Sequence, residues 1–297
     1  MIVITTPTGD IGAQVLDRVI DSGEAVRVVA RDPARLPERV IARAEVVQGS
    51  HGDADAITRA LDGADRLFWL VPPPGFRRDG SAEHYYLDFT RPACQAIAGQ
   101  GARVVGISTL GHGYRGKAGL LSAALAMDTL IESTGAAYRA LALPFFMENL
   151  HHHVQEIKEQ GTFSMANTAD RPLPTIATRD VAAAAAALLL DPSWSGQAGV
   201  PLTGPDNLTP DDMAEVISGT LGRTIGYRQV PLADFQATML QYGASRAIAQ
   251  DMADMIVAQN NGIYDAEPRD PNSATATSFR QWCQDTLKPA VLACEER

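Results

Sequence analysis

The stretch that decides the fold is VITTPTGDIG, residues 3–12. It has the pattern of a buried strand, a turn and the start of a helix, the arrangement that cradles the phosphates of a dinucleotide. In such a turn three glycines make the bend, admit the pyrophosphate and let the helix pack against the strand. Because the three positions here are Thr6, Gly9 and Gly12, the first glycine is replaced. The stretch is therefore either a modified dinucleotide-binding turn or an ordinary strand–helix connection.

The turn retains the features that bind an anion. Pro7 fixes one φ angle, so we expect proline to make the bend in place of glycine. The backbone amides that follow would point at a phosphate from the N-terminus of the helix. The predicted phosphate site comprises Thr6, Thr8, Gly9, Asp10, Ile11 and Gly12.

The second strand, within VRVVARDPARL (26–36), indicates which dinucleotide would bind. The end of this strand meets the ribose 2′-position, where an acid favours NAD and a cation accommodates the extra phosphate of NADP. Arg31 occupies that place, with Arg35 one turn later, and we expect Asp32 to cap the turn at Pro33. The alternative is an ordinary surface arginine. The sequence favours NADP(H) as cofactor.

Strand and helix patterns alternate through the first half of the chain, which predicts an α/β fold with a doubly wound parallel sheet. The predicted strands are 2–5, 25–30, 44–48, 66–71, 103–108 and 138–143. The predicted helices include 11–23, 53–63, 81–101, 120–135 and 145–161. The rhythm changes after Pro144, and 231–262 is helical and rich in methionine. We predict a Rossmann domain over 1–150 and a smaller, mostly helical substrate lobe over 151–297, with parts interleaved.

The amino-acid composition and net charge limit the kinds of molecule that the protein is expected to bind. The 297 residues carry a net charge of −10 with no basic run, which argues against nucleic acid and anionic membrane. Cys94, Cys283 and Cys294 are widely spaced, as is typical of a reducing compartment without zinc or disulfides. The chain opens directly in a strand without a leader, and its longest apolar run (181–190) is too short for a bilayer. We expect a cytoplasmic protein.

Three consecutive histidines, His151, His152 and His153, suggest a metal site at first sight. Consecutive residues on a helix point about 100° apart, so these side chains cannot converge on one ion. We predict no metal site.

Several further segments resemble the NmrA-like group of atypical short-chain dehydrogenases/reductases. They are VVQGSHGD (46–53), LVPPP (70–74), GISTLG (106–111), PFFMENL (144–150), IATRDVAAAAAALLLDP (176–192) and PLTGPDNLTPDDMAEVIS (201–218). With the opening turn and the second strand, the resemblance covers roughly residues 1–285. It implies an NADP-binding Rossmann domain whose small C-terminal lobe meets it over the nicotinamide.

The resemblance also implies site residues. Arg31 matches the 2′-phosphate arginine, Ser50 lies near the adenine, and Ser108 is the small hydroxyl residue ending strand five. The residues flanking the nicotinamide and its ribose are Val71, Pro72, Pro73, Pro144, Phe145 and Phe146.

The chain departs from the family where a proton relay is usual. Members that reduce substrates commonly carry lysine or histidine four residues before an acid; Asp128 matches the acid, but the basic position is Ala124. Ala142 replaces a usual arginine, and Tyr114 and Lys117 are one residue too close for Tyr-x-x-x-Lys. A standard relay is therefore absent.

Other groups can supply a proton. The candidate catalytic residues are Ser108, His112 and Tyr114, in the segment after strand five where this fold places chemistry. The alternative is that His112 and Tyr114 are only loop residues. From the apolar set in the second half, the predicted substrate contacts are Phe146, Met147, Met239 and Tyr242.

Three functions fit these residues. The first is an NADPH-dependent oxidoreductase that transfers hydride to an apolar carbonyl acceptor such as a quinone or enone, which needs little acid catalysis. The second is a redox-neutral cyclase or isomerase that has reused the cleft. The third is a non-catalytic NADP(H)-sensing regulator. The expected partner is a small apolar molecule, and the oligomeric state is left open.

Overall fold

The computed structural model describes residues 1–267 and 273–293 of the chain. The strands within these residues are β1 (Ile2–Ile4), β2 (Val26–Ala30), β3 (Glu45–Gln48), β4 (Arg66–Trp69), β5 (Arg103–Thr109), β6 (Ala137–Leu143), β7 (Phe145–Phe146), β8 (Thr162–Met165), β9 (Thr175–Ile176), β10 (Gln197–Pro201) and β11 (Gly226–Gln229). Seven of them form one parallel sheet in the order β10-β6-β5-β4-β1-β2-β3. This order is that of a doubly wound Rossmann sheet with an added edge strand, which confirms the predicted fold class.

The described α-helices are α1 (Asp10–Val19), α2 (Glu38–Ile41), α3 (Ala54–Leu61), α4 (Ala82–Ile97), α5 (Leu120–Glu132), α6 (Val154–Gln160), α7 (Thr178–Leu190), α8 (Pro210–Leu221), α9 (Leu232–Gln241), α10 (Arg246–Asn260), α11 (Phe279–Trp282) and α12 (Lys288–Ala293). None of these helices is long and apolar enough to cross a membrane. Helix α4 runs without interruption through Pro92, although proline usually bends or ends a helix.

Both faces of the sheet are buried, because successive residues of each strand point to opposite sides. On β1, Ile2 and Ile4 pack with α1 and α7 on one face, whereas Val3 packs with α3, α4 and α5 on the other. Phe68 and Trp69 of β4 divide in the same way, and both are core residues. The carboxyl ends of the strands therefore lie between two helical layers at one edge of the sheet.

The second half of the chain contributes to both parts of the molecule. Strand β10 extends the central sheet beside β6, and α7 packs against α1. Most of the remaining elements surround a separate hydrophobic cluster that includes Phe163, Met213 and Trp282, whereas α9 and the first part of α10 pack on each other. The boundary at residue 150 stays a prediction.

Local boundaries differ from the sequence pattern after β6. The predicted helix over 145–161 begins instead as strand β7, continues as a 3₁₀ helix (Met147–His153) and becomes α-helical only at α6. Strand β7 pairs with β9, and this tertiary pairing overrides the helical pattern. Helix α8 starts with a capping box: the Thr209 hydroxyl and the Asp212 carboxylate each accept from the other residue's backbone amide.

Candidate active site

The Gly9 amide donates to the Thr6 carbonyl at 3.0 Å and closes a turn over residues 6–9. Pro7 is at the second position of this turn, so proline contributes to the bend as the sequence predicts, and Thr6 adds a further change of backbone direction. Thr6 has a φ of 51°, and it is the only residue other than glycine with positive φ in the described chain. A β-branched residue rarely adopts this conformation, which costs about 1–2 kcal/mol. Thr6 thus takes a left-handed geometry that a glycine would adopt without strain.

Gly12 is required by close packing against this bend. A Cβ atom on Gly12 would lie 2.1 Å from the Thr6 carbonyl oxygen, far inside van der Waals contact. A Cβ atom on Gly9 would lie 3.5 Å from the same oxygen, which is an ordinary contact. The two glycines therefore have different structural roles. Gly12 lets α1 pack close to β1, and Gly9 leaves room for a ligand to approach the outer side of the turn.

The N-terminus of α1 can bind an anion. Gly9 is its N-cap, and within the described residues no side chain caps the helix, so the amides of its first turn remain available. The Thr6 hydroxyl oxygen is buried and has no hydrogen-bond partner in the described chain. A buried, unpaired hydroxyl beside uncapped amides fits the pyrophosphate of a dinucleotide. Thr8 and Asp10 are exposed on the rim, and Ile11 is buried under the helix.

Two cations follow β2. The Asp32 carboxylate accepts the Ala34 amide at 3.1 Å and so caps the turn at Pro33, as predicted. Arg31 and Arg35 are exposed and form no ion pair with any described residue. Arg35 lines a cavity of about 290 Å³ beside the opening turn. The residues around this cavity are Pro7, Thr8, Ala13, Leu16, Asp17, Arg35, Pro37, Arg39 and Val40.

The other predicted cofactor contacts follow β3, β4 and β6, at the same edge of the sheet. After β3, the Ser50 hydroxyl accepts the Gly52 amide at 3.3 Å. After β4, Val71 is buried, Pro72 is half-buried and Pro73 is exposed. After β6, Pro144 is buried and Phe145 is half-buried within the short strand β7.

His51, next to Ser50, is a residue that sequence reasoning missed. Its Nε2–H donates to the Leu70 carbonyl at 2.9 Å, which ties the loop after β3 to the loop after β4. Its ring meets Trp69 and Phe89 edge-on, and burial lowers its pKa to about 4, so it is neutral near pH 7. The sequence signal for it is a histidine three residues after β3, at the edge of the sheet where the cofactor contacts are predicted.

A buried carboxyl group lies below the end of β5. Asp128 of α5 accepts a hydrogen bond from the Ser108 hydroxyl on Oδ2 and another from the Tyr138 hydroxyl, at 2.6 Å, on Oδ1. Burial raises the pKa of Asp128 to about 6, although these two hydrogen bonds oppose the rise. The Tyr138 ring fits only because Gly106 is a glycine: a Cβ there would lie 2.4 Å from the Tyr138 oxygen.

His112 approaches this carboxyl group from the loop after β5. Its Nε2 lies 3.8 Å from Asp128 Oδ2, the range of an ion pair and longer than a hydrogen bond. Its side chain is 45% exposed, whereas that of Asp128 is 1% exposed. An imidazole that reaches both solvent and a buried carboxyl group is placed to carry protons between them.

Tyr114 and the two alanines complete this region. The Tyr114 amide donates to the Gly111 carbonyl at 3.0 Å, and the ring covers Gly116 at the end of the loop. Ala124 is buried on α5, one turn before Asp128, and Ala142 pairs with Ser108 across β6 and β5. Neither alanine can hold a proton, so the titratable group beside Asp128 comes from the loop.

The predicted substrate contacts lie in different surroundings. Phe146 is half-buried in β7, and Met147 is fully buried in the second hydrophobic cluster. Met239 packs with Ala244, Ile248 and Ala249 between α9 and α10, whereas Tyr242 is 82% exposed beyond the end of α9. Contact of these four residues with a substrate stays a prediction.

The cysteine and histidine predictions concern side chains away from this edge. Cys94 and Cys283 are buried thiols whose pKa burial raises to about 11 and about 12; Cys294 lies outside the described residues. His151 and His152 are exposed and His153 is half-buried. Among the described residues, no group of three histidine, cysteine or acidic side chains is arranged to hold a metal ion.

Comparison with protein families confirms the resemblance seen in the sequence. The NAD(P)H-binding family matches residues 7–192, and the NmrA-like family matches residues 126–281. Each match spans more than half of the chain. The first contains the turn at Gly9, Arg31 and the end of β5; the second contains Asp128 and most of the C-terminal lobe.

Similar proteins include two reductases and a solved structure. Quinone oxidoreductase 2 of Escherichia coli strain K12 is 25% identical over 268 residues, covering 89% of this chain and 90% of that protein. The (4-alkanoyl-5-oxo-2,5-dihydrofuran-3-yl)methyl phosphate reductase of Streptomyces griseus is 29% identical over 231 residues, covering 77% of each chain. A crystal structure of an NADPH-dependent quinone oxidoreductase from Escherichia coli, complexed with NADPH, superposes with a TM-score of 0.74 at 22% identity and covers 100% of both chains.

The family match confirms a nicotinamide dinucleotide as cofactor, and the prepared turn after β1 fits it. The chain belongs to the NAD(P)H-binding and NmrA-like families, within which its relatives support an NAD(P)H-dependent reductase as its general activity.

Proposed function

We propose that the protein is an NADPH-dependent reductase of flat, apolar, conjugated carbonyl compounds, with quinones or enones as acceptors. The observation that carries the proposal is the Asp128 carboxyl group at the end of β5, held by Ser108 and Tyr138 and approached by His112. Asp128 and His112 together form an acid–base pair at the carboxyl ends of the strands, where this fold places its reactions. The relatives support the acceptor class: one is named for a quinone, the other for a dihydrofuran ring whose double bond is conjugated to a carbonyl.

The 2′-phosphorylated cofactor is proposed from the charges after β2. An NAD-selective site would direct an acid at the ribose, but the Asp32 carboxylate is engaged with the Ala34 amide. Arg31 and Arg35 are left to meet a phosphate, which a guanidinium group binds through paired donors. The amides from Asp10 to Gly12 and the Thr6 hydroxyl would hold the pyrophosphate, and Gly9, whose own amide donates to the Thr6 carbonyl, would let it approach the turn.

The remaining contacts are proposed from their place at the carboxyl edge of the sheet. They divide into those near adenine, those near the nicotinamide and those near the acceptor. The adenine contact is Ser50; the nicotinamide contacts are Val71, Pro72, Pro73, Pro144 and Phe145; the acceptor contacts are Phe146, Met147, Met239 and Tyr242.

The reaction requires one hydride and one proton. When bound, NADPH supplies the hydride, and the oxygen of the acceptor then carries negative charge. Protonated His112 donates its Nε2 proton to that oxygen, and the Asp128 carboxylate stabilises the imidazolium before transfer. The exposed imidazole recovers a proton from solvent. A quinone, one hydride and one proton would thus give a hydroquinone.

A conjugated acceptor suits the weak acid machinery. A simple ketone forms a basic alkoxide that needs a strong proton donor, whereas a quinone or enone forms a stabilised anion. Ala124 and Ala142 supply no donor, and the 3.8 Å separation of His112 from Asp128 leaves the imidazole only loosely held. Ser108, whose hydroxyl donates to Asp128, and Tyr114 are the other candidate groups near the acceptor.

The cofactor part is tested by calorimetric titration of the purified protein with NADPH and, separately, with NADH. We expect NADPH to bind more tightly, and Arg31→Ala to weaken NADPH while sparing NADH. Arg43→Ala is the matched control, because Arg43 is an exposed arginine that is engaged with Asp21. Equal loss for both cofactors, or an equal effect of the control, would contradict the assignment of Arg31.

The acceptor part is tested by following NADPH oxidation with a panel of quinones, enones and simple ketones. We expect turnover with the conjugated acceptors and little with the ketones. Turnover confined to simple ketones would overturn the proposal, and so would an absence of turnover despite tight NADPH binding.

A further inference from the structure

The backbone that presents His112 leaves the sheet abruptly. Up to Leu110 the chain is fixed by β6: the Leu110 amide donates to the Leu143 carbonyl at 3.0 Å, and the Thr109 hydroxyl contacts the same carbonyl at 3.3 Å. Beyond Leu110 no strand pairing remains. A catalytic side chain on such a loop needs another support, because small misplacements cost large factors in rate.

Glu267 provides that support from the C-terminal part of the chain. One carboxylate oxygen, Oε1, accepts the Gly111 amide at 2.9 Å and the His112 amide at 2.7 Å. Two backbone donors on one charged acceptor form a strong, directional contact. It binds the main chain of His112 and leaves the imidazole free to face Asp128.

Close packing also fixes the start of this loop, next to the contact with Glu267. Gly111 has a φ of 119°, and a Cβ atom there would lie 2.5 Å from Ile263 Cγ1. Ile263 is fully buried and begins the 3₁₀ helix Ile263–Asp265, which follows α10. The loop is thus held at two neighbouring points, one apolar at Ile263 and one charged at Glu267.

We propose that Glu267 is a positioning residue that sets the place of His112 for proton transfer. This inference rests on the proposed function, in which His112 is the proton donor. Glu267 acts through the backbone of His112 and has no contact with cofactor or acceptor in this role. The C-terminal segment therefore contributes to catalysis across 155 positions of sequence.

The test compares Glu267→Ala, Glu267→Gln and the control Asp265→Ala. Glutamine keeps an oxygen that can accept both amides, whereas alanine removes it. Asp265 lies two residues away, is exposed and pairs with Arg171, so its loss perturbs the same segment without touching the loop. We expect Glu267→Ala to lower kcat about tenfold with NADPH affinity unchanged, and Glu267→Gln to stay within about threefold of wild type.

A double-mutant cycle distinguishes positioning from general damage. If Glu267 acts through His112, Glu267→Ala has no further effect on kcat in a His112→Ala background. A tenfold loss in both backgrounds would overturn the proposal, because the effect would not pass through His112. So would a loss with Asp265→Ala that equals the loss with Glu267→Ala.

A second measurement does not depend on turnover. The ring signals of His112, assigned in NMR spectra by their loss in His112→Ala, should shift or broaden in Glu267→Ala and remain in place in Asp265→Ala. Unchanged ring signals in Glu267→Ala would refute the positioning role. If wild type binds NADPH but reduces no acceptor, the proposed function fails, while the ring signals still decide whether Glu267 positions His112.

Discussion

Replacement of Gly12 by alanine separates packing from cofactor binding in the opening turn. The added Cβ would lie 2.1 Å from the Thr6 carbonyl oxygen, 2.6 Å from its hydroxyl oxygen and 2.8 Å from its carbonyl carbon. Because the opposing atoms are mostly backbone, α1 must move away from β1. Such overpacking costs about 1–3 kcal/mol, and we expect the upper end of that range.

The predicted shift in melting temperature follows from chain length. An unfolding entropy of about 2.1 cal/mol/K per residue converts about 3 kcal/mol into a loss of about 5 °C. Gly9→Ala is the matched control, since its Cβ lies 3.5 Å from the same oxygen and its φ is −92°. Loss of glycine at this N-cap costs about 0.5 kcal/mol, a shift of about 1 °C.

The assay is thermal unfolding without cofactor, paired with calorimetric titration with NADPH. Gly12→Ala should lose both stability and affinity, whereas Gly9→Ala should lose affinity alone, at least about tenfold, because its Cβ would intrude where the pyrophosphate approaches. A Gly12→Ala protein that melts with wild type would refute the packing argument. Adding Thr6→Gly should restore no more stability than the roughly 1 kcal/mol it contributes to the wild-type protein, because the backbone oxygen that opposes the Gly12→Ala side chain remains.

The other predictions concern the strained threonine and the acid pair. Thr6→Gly should stabilise the cofactor-free protein by roughly 1 kcal/mol in urea unfolding, because it relieves a φ of 51° and removes a buried, unpaired hydroxyl. The same change should weaken NADPH binding. A variant less stable than wild type would contradict this prediction. His112→Ala should lower kcat for quinones about hundredfold, and Asp128→Asn about tenfold, with NADPH affinity unchanged in each; intact kcat in His112→Ala would remove it as the donor. The carboxyl group of Asp128, which Tyr138, His112 and Glu132 face, has a pKa raised from 3.8 to about 6, so its stabilising contribution is present in full below about pH 4 and is lost as pH rises through about 6. Relative to Asp128→Asn, wild type should therefore lose on the order of 2–3 kcal/mol of unfolding free energy between pH 4 and pH 6, and parallel pH profiles would contradict the raised pKa.

The sheet strands and the cofactor turn can be predicted from the sequence, because each of them depends on residues that are close together along the chain. Six strands of the central sheet follow from apolar runs, and the arginine at the end of β2 follows from its place after a strand. The seventh strand, β10, escapes the pattern because Gln197–Pro201 contains glycine and proline and lies exposed at an edge. Its position in the sheet is set by tertiary pairing with β6, which no local sequence pattern shows.

The site depends more on distant contacts. The glycine pattern places Thr6 at the position of the first glycine, but its side chain type does not predict a left-handed conformation, which is seen together with the close approach of Gly12 to the Thr6 carbonyl. The Asp128–Tyr138 pair requires the space at Gly106, a glycine within a strand whose meaning needs the neighbouring strand. Glu267 contacts the loop from far along the chain, and no local signal marks it.

The central claim is that this cleft transfers hydride from NADPH to a conjugated carbonyl acceptor. The most direct measurement is a single-turnover reaction of the NADPH-loaded protein with a quinone, repeated with NADPH deuterated at the transferring carbon. The account predicts rapid NADPH oxidation that depends on the quinone and slows with deuterium. Tight NADPH binding with no oxidation by any quinone or enone would contradict it.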